Sequence, residues 1–103
     1  MFTVEWIRQC VQAGTFYFTN HADQERQNDA LSIAEVREAV TQGIILEQYE
    51  DTGRGESCLV VGFTKAGKPI HIVCGERMGQ AAIITVYIPS PPKFKNPYER
   101  GVS

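Results

Sequence analysis

No stretch of about 18 consecutive apolar residues occurs in the chain, so no membrane-spanning helix is expected. The start of the sequence, Met1-Phe2-Thr3-Val4-Glu5-Trp6, has no basic stretch leading into an apolar one, and no secretory leader is expected there. Cysteine is scarce. Cys10, Cys58 and Cys74 form an odd set with no C-x-x-C pair, which fits free thiols in a reducing cytoplasm better than a disulfide framework. Histidine is scarcer still, with two residues, and no two Cys or His positions have the spacing of zinc ligands. Neither a metal nor any other cofactor is expected. Glycine-rich loops that would cradle a nucleotide are absent, as is a Ser-His-Asp arrangement. An excess of positive charge is missing too. The formal net charge is -2 and the pI about 5.6, which argues against a general nucleic-acid binder, whose affinity comes from Lys and Arg on phosphates.

What is present fits one globular domain with one core: 103 residues, 43% hydrophobic and 21% charged, without repeats or low-complexity blocks. Residues 3–13 read as a helix, because Val4, Ile7, Cys10 and Val11 recur at helical spacing before Gly14. A short strand, Phe16-Tyr17-Phe18-Thr19, follows, and then a brief polar helix over 21–28. Ser32-Ile33-Ala34-Glu35 has the form of a capping box, with Leu31 and Val36 placed as a hydrophobic staple. Ile33, Val36 and Val40 make the apolar stripe of that helix, and Gly43 is expected to cap it.

The second half reads as strands over 44–50, 57–64, 68–75 and 81–88, rich in Ile, Val, Leu, Phe and Tyr. Lys65-Ala66-Gly67 and Arg77-Met78-Gly79 both suit three-residue hairpin loops with glycine last, and residues 51–55 form a looser loop. The fold class is therefore α+β: N-terminal helices packed on an antiparallel meander of four strands, with residues 16–19 as a possible fifth. Residues 1–89 make the domain. Residues 90–103, rich in proline, cannot continue a central strand and are expected to run extended over the surface and fray.

Those loops set a register. Counting back from Arg77-Met78-Gly79 places Ile70 opposite Val86, Ile72 opposite Ile84 and Cys74 opposite Ala82, an apolar face. The other face pairs His71 with Thr85, Val73 with Ile83 and Pro69 with Tyr87. Across Lys65-Ala66-Gly67, Val61 falls beside His71 and Cys58 opposite Cys74. The His71 face is mixed, as the floor of a pocket would be.

Several residues are candidates for chemistry. His21 lies near the first turn of the polar helix, where the dipole disfavours imidazolium and a neutral ring can act as general base; it can equally serve as a local cap. Arg26 can clamp an anion with paired donors, or pair with Asp23 or Asp29 on its own helix. His71, between Ile70 and Ile72, must be hydrogen-bonded or face a cleft. Tyr87 and Thr85 can position a substrate or relay a proton, or they can simply pack. Lys68 is a binding candidate among scattered positives (Lys65, Arg77, Lys93, Lys95) that otherwise suit a solvated rim. Lys93-Phe94-Lys95 has the make-up of a short basic-aromatic contact for RNA or a partner.

Taken in order, Tyr17-x-Thr19-x-His21-Ala22, Arg26, Ser32-x-x-Glu35-Val36, Gly43, Gly67-Lys68-Pro69-x-His71-x-Val73 and Ile84-Thr85-Val86-Tyr87 resemble a bacterial family known as domain of unknown function 4258, over roughly residues 16–89. The resemblance implies a fold like that of the small RelE-type ribonuclease toxins, and a zinc-finger antitoxin-like protein as a partner. On that reading the chain cleaves RNA without metal, with His21 and His71 as the acid–base pair, Arg26 clamping phosphate, and Tyr87 and Thr85 positioning the substrate. Two departures work against it. The chain is acidic, and Gln27-Asn28-Asp29-Ala30 lacks the second arginine often found there in the family. The alternative is a non-catalytic module that uses the same sheet face, with the proline-rich tail, to bind a partner protein or a small anion.

Overall fold

The structure, a computed structural model, describes residues 1–53 and 55–101. Arg54 of the expected loop and residues 102–103 of the tail lie outside the described residues. Helix α1 spans Val4–Ala13. The Thr3 hydroxyl accepts from the backbone N–H of Trp6 at its start, and Gly14 turns left-handed at its end, with φ 78°. Strand β1 is Phe16–Phe18, and helix α2 is Asn20–Asn28 with Thr19 as its N-cap. Helix α3, Ile33–Thr41, carries the capping box its sequence announces, with Ser32 and Glu35 satisfying each other's backbone amides.

Strands β2 (Ile44–Tyr49), β3 (Ser57–Phe63), β4 (Pro69–Arg77) and β5 (Gln80–Tyr87) form the antiparallel meander. Strand β1 adds to its β5 edge in parallel, giving a mixed five-stranded sheet in the order β1-β5-β4-β3-β2. The class is α+β. The helices cover one face, where Ile7, Val11, Ala22, Leu31, Val36 and Val40 meet Cys58, Val60, Ile70, Ile72, Cys74, Ile83 and Val86. Helix α3 sits very close to β3, since a Cβ at Gly62 would collide with the carbonyl of Ala39. Gly43 serves the same close approach and is not the C-cap, which is Gln42.

Beyond the short β1, the edge of β5 is closed by α2. Glu25 accepts the backbone N–H of Val86 at 3.1 Å and Asp29 that of Ile88 at 3.0 Å. Two carboxylates thus take the place of a missing strand along that stretch of the edge.

The β4–β5 register differs from the sequence expectation. The turn is the two residues Met78 and Gly79, with φ 54° and 80°, so Arg77 faces Gln80. Positive φ at both central positions is the geometry of a type I′ turn. A bulge then makes Ile84 an extra residue between the pairs Cys74–Ile83 and Val73–Thr85. Each event shifts the count by one. Between them the faces invert, so Ile83 points into the helical core where Ile84 was expected. Past the bulge the faces are restored, but every pair is displaced: Ile72 faces Val86, and His71 faces Tyr87 instead of Thr85. The β3–β4 pairing, by contrast, is as read, with Val61 beside His71 and Cys58 opposite Cys74.

The tail neither runs extended nor leaves its aromatic residue on the surface. It folds back as a small hairpin, β6 (Phe94–Asn96) with β7 (Glu99–Arg100). Asn96 sets the bend, its side-chain oxygen accepting the N–H groups of Tyr98 and Glu99 at 2.8 and 3.1 Å. Phe94 is 2% exposed, so it is a core residue and not the solvent-facing contact for RNA that its lysine neighbours suggested.

Candidate functional site

Alternation along β4 sends Ile70 and Ile72 into the helical core and His71 to the opposite face of the sheet. There His71 is fully buried, at 0% exposure. Its Nε2 lies 2.7 Å from the carbonyl oxygen of Pro97. A carbonyl only accepts, so Nε2 carries the hydrogen and donates. Its Nδ1 lies 3.1 Å from the Tyr87 hydroxyl, which in the neutral tautomer donates to it. Phe94 stands edge-on to the imidazole with ring centres 4.4 Å apart, and the Tyr87 ring lies 5.2 Å away. Burial pulls the His71 pKa below its ordinary value, against the upward effects of the Pro97 carbonyl and the Glu47 charge. Burial likewise raises the phenol of Tyr87.

A second group of polar side chains occupies the same face on β2. Glu47 and Tyr49 are two residues apart, and the Tyr49 hydroxyl donates to Glu47 at 2.6 Å. Arg100 reaches Glu47 from the tail through two charge-assisted bonds of 2.9 and 2.7 Å, and its guanidinium lies 5.1 Å from the centre of the Phe94 ring. The bonds from Arg100 are the main reason that the Glu47 carboxyl is held below the ordinary range. Burial, aided by the bond to Glu47, pushes Tyr49 up to about 12. Tyr98 adds a further contact between tail and sheet, its ring 6.1 Å from that of Phe63.

The residues singled out in the sequence are not gathered in one place. His71 and Tyr87 meet. Thr85 lies two pairs further along the ladder, opposite Val73. His21 belongs to the helical layer. Its side chain is 68% exposed and its Nε2 pairs with Glu25 at 3.2 Å. No hydrogen bond, ion pair or ring contact joins it to His71 among the described residues. Arg26 is drawn inward: it binds Asp23 through Nε and a terminal nitrogen at 3.1 and 2.7 Å and the Leu31 carbonyl at 2.9 Å, tying α2 to the loop that follows. Lys68 pairs with Glu35 at 3.1 Å.

Glu47, Tyr49, Pro97 and Arg100 are the members that the sequence reading missed, and Phe94 is one that it placed on the surface. The i, i+2 spacing of Glu47 and Tyr49 on one strand was the available signal. Among the described residues no group of three or more His, Cys, Asp or Glu side chains is arranged to hold a metal ion. No helix among them is long and apolar enough to cross a membrane.

The sequence pattern described as Domain of unknown function (DUF4258) matches residues 18–88, more than half of the chain. The chain belongs to that family. No curated protein and no solved structure matches it. The DUF4258 match takes in α2, α3 and the strands of the meander, with His21, Arg26, Lys68, His71, Thr85 and Tyr87. It ends before Phe94, Pro97 and Arg100, so the segment that covers His71 lies outside the DUF4258 region.

Proposed function

We propose that this DUF4258 chain is a non-catalytic binding module, whose site is the sheet face around His71, Tyr87, Glu47 and Tyr49. One observation carries the reading. Both ring nitrogens of the fully buried His71 are committed, one to a backbone carbonyl and one to a phenol. A general acid or base must reach the proton it transfers. A ring that grips a peptide carbonyl and lies beneath an aromatic side chain is instead equipped for recognition. The acidic pI supports the same reading, and three free thiols suit a reducing, cytoplasmic setting.

A metal-independent ribonuclease of the toxin type is the second reading, and the polar group beside His71 favours it. Once the tail had lifted, taking Arg100 with it, His71, Tyr87, Tyr49 and Glu47 would supply the acid and base for phosphodiester cleavage, without help from His21 or Arg26. RNA would then be the substrate and a zinc-finger antitoxin-like protein the expected partner.

The test is incubation of the purified chain with RNA in a metal-free buffer containing a chelator. The binding reading expects no cleavage above buffer alone. Cleavage that His71→Gln abolishes would overturn it in favour of the ribonuclease.

A further inference from the structure

The tail meets the sheet as a bound peptide would. Phe94 inserts a ring against His71, Pro97 offers a carbonyl to Nε2, and Arg100 places a guanidinium on Glu47. The three contacts come at intervals of three residues along one short segment, and each uses a different chemistry. The segment lies outside the region shared with DUF4258, whereas the face beneath it, with Glu47, Tyr49, His71 and Tyr87, belongs to that region.

We propose that residues 94–101 are an internal ligand, occupying a face that accepts a short hairpin segment of a partner protein with the same three features: an aromatic ring, then a backbone carbonyl, then an arginine. The proposal rests on the binding-module reading and names its ligand.

The recognition chemistry is complete on the sheet side. Nε2–H is a directional donor when it faces a carbonyl, which only accepts, and the Tyr87 hydroxyl is free to donate to Nδ1 in that tautomer. Glu47 is oriented by Tyr49 and presents both oxygens to a planar guanidinium, a geometry that lysine does not reproduce. Tyr87 and His71 wall the slot that takes the ring. The latch at the far end is the weaker part, because the Arg100 side chain is 55% exposed and solvent screens its pairing. Release therefore begins at Arg100 and peels back toward Phe94. A partner segment competes against a tethered one, so it must outbid an effective concentration in the millimolar range.

The two histidines provide the assay. Diethylpyrocarbonate modifies accessible imidazoles, and exposed His21 is an internal reference for sealed His71. In the intact chain His21 is modified and His71 is not. Arg100→Gln or Glu47→Gln unlatches the segment and raises the His71 modification rate roughly fivefold to tenfold, with the circular dichroism spectrum unchanged. Phe94→Asp keeps the slot open altogether. A labelled synthetic peptide with the sequence of residues 90–101 then binds the Phe94→Asp chain, does not bind the unaltered chain, and slows His71 modification in the Arg100→Gln chain. The same peptide carrying glutamine in place of its arginine binds more weakly.

If Phe94→Asp unfolds the protein, the two milder variants still decide. The proposal is overturned if His71 stays unmodified in both while they remain folded, or if His71 opens and the peptide neither binds nor protects. Metal-free RNA cleavage by an opened chain gives a different result: it overturns the binding-module reading and leaves the opening of the segment standing.

Discussion

Tyr87 stands directly opposite His71 across the β4–β5 ladder, and its hydroxyl lies 3.1 Å from Nδ1. The pair shares its face with the Glu47–Tyr49–Arg100 group, and both are covered by the tail. Tyr87→Phe removes the hydrogen-bond partner of Nδ1 and leaves a buried acceptor unsatisfied. The expected cost is about 1–3 kcal/mol of unfolding free energy, read as a lower urea midpoint with an unchanged slope. A loss well below that range would mean that water reaches the ring.

The same burial makes stability depend on pH in a definite direction. The folded state holds the His71 pKa below its ordinary value of 6.5, so the unfolded chain binds the proton more readily. The contribution is fully present above pH 6.5 and is lost as pH falls from there through the folded-state value. Glu47, also lowered, acts in the same sense in the carboxylate range, below its ordinary 4.5. His71→Gln retains a donor for the Pro97 carbonyl but does not titrate. Urea midpoints between pH 7 and about 5.5 should fall in the unaltered chain and flatten in this variant.

Much of this architecture can be read directly from the chain, because the relevant signals are local. The Ser32–Glu35 capping box lies within one helical turn, and the Val61–His71 pairing follows from one short loop with a left-handed Gly67. The His71–Tyr87 pairing escaped because Met78 adopts a positive φ that methionine rarely takes, and because a bulge at Ile84 has no residue signature in an unbroken apolar run. The site was half legible for the same kind of reason. A histidine within an apolar strand advertises itself, whereas Arg100 reaches Glu47 from 53 residues away, and nothing local encodes that meeting.

The edge of β5 supplies another test. Glu25→Ala withdraws the acceptor from the Val86 amide, exposes an unpaired N–H at the sheet edge and costs about 1 kcal/mol. Amide hydrogen exchange should quicken at Val86 and much less at Ile72, which lies on the interior strand β4. Equal acceleration at both positions would mean that the carboxylate supports the whole fold and not the edge alone.

The turn itself distinguishes the observed register from the one that its sequence suggested. Met78 is the first central residue of a two-residue type I′ turn, with φ 54° and 98% exposure. Its side chain has nothing to pack on, and its backbone conformation costs a non-glycine residue on the order of 1 kcal/mol. Asparagine tolerates that conformation and is favoured before glycine in such turns. Met78→Asn is therefore expected to stabilise the protein by roughly 0.5–1 kcal/mol, seen as a higher thermal midpoint, with the β4–β5 amide exchange pattern preserved. In a three-residue turn built on Arg77-Met78-Gly79, the same position would have negative φ, and the substitution would bring no gain. A neutral or destabilising result would thus point back to the longer loop.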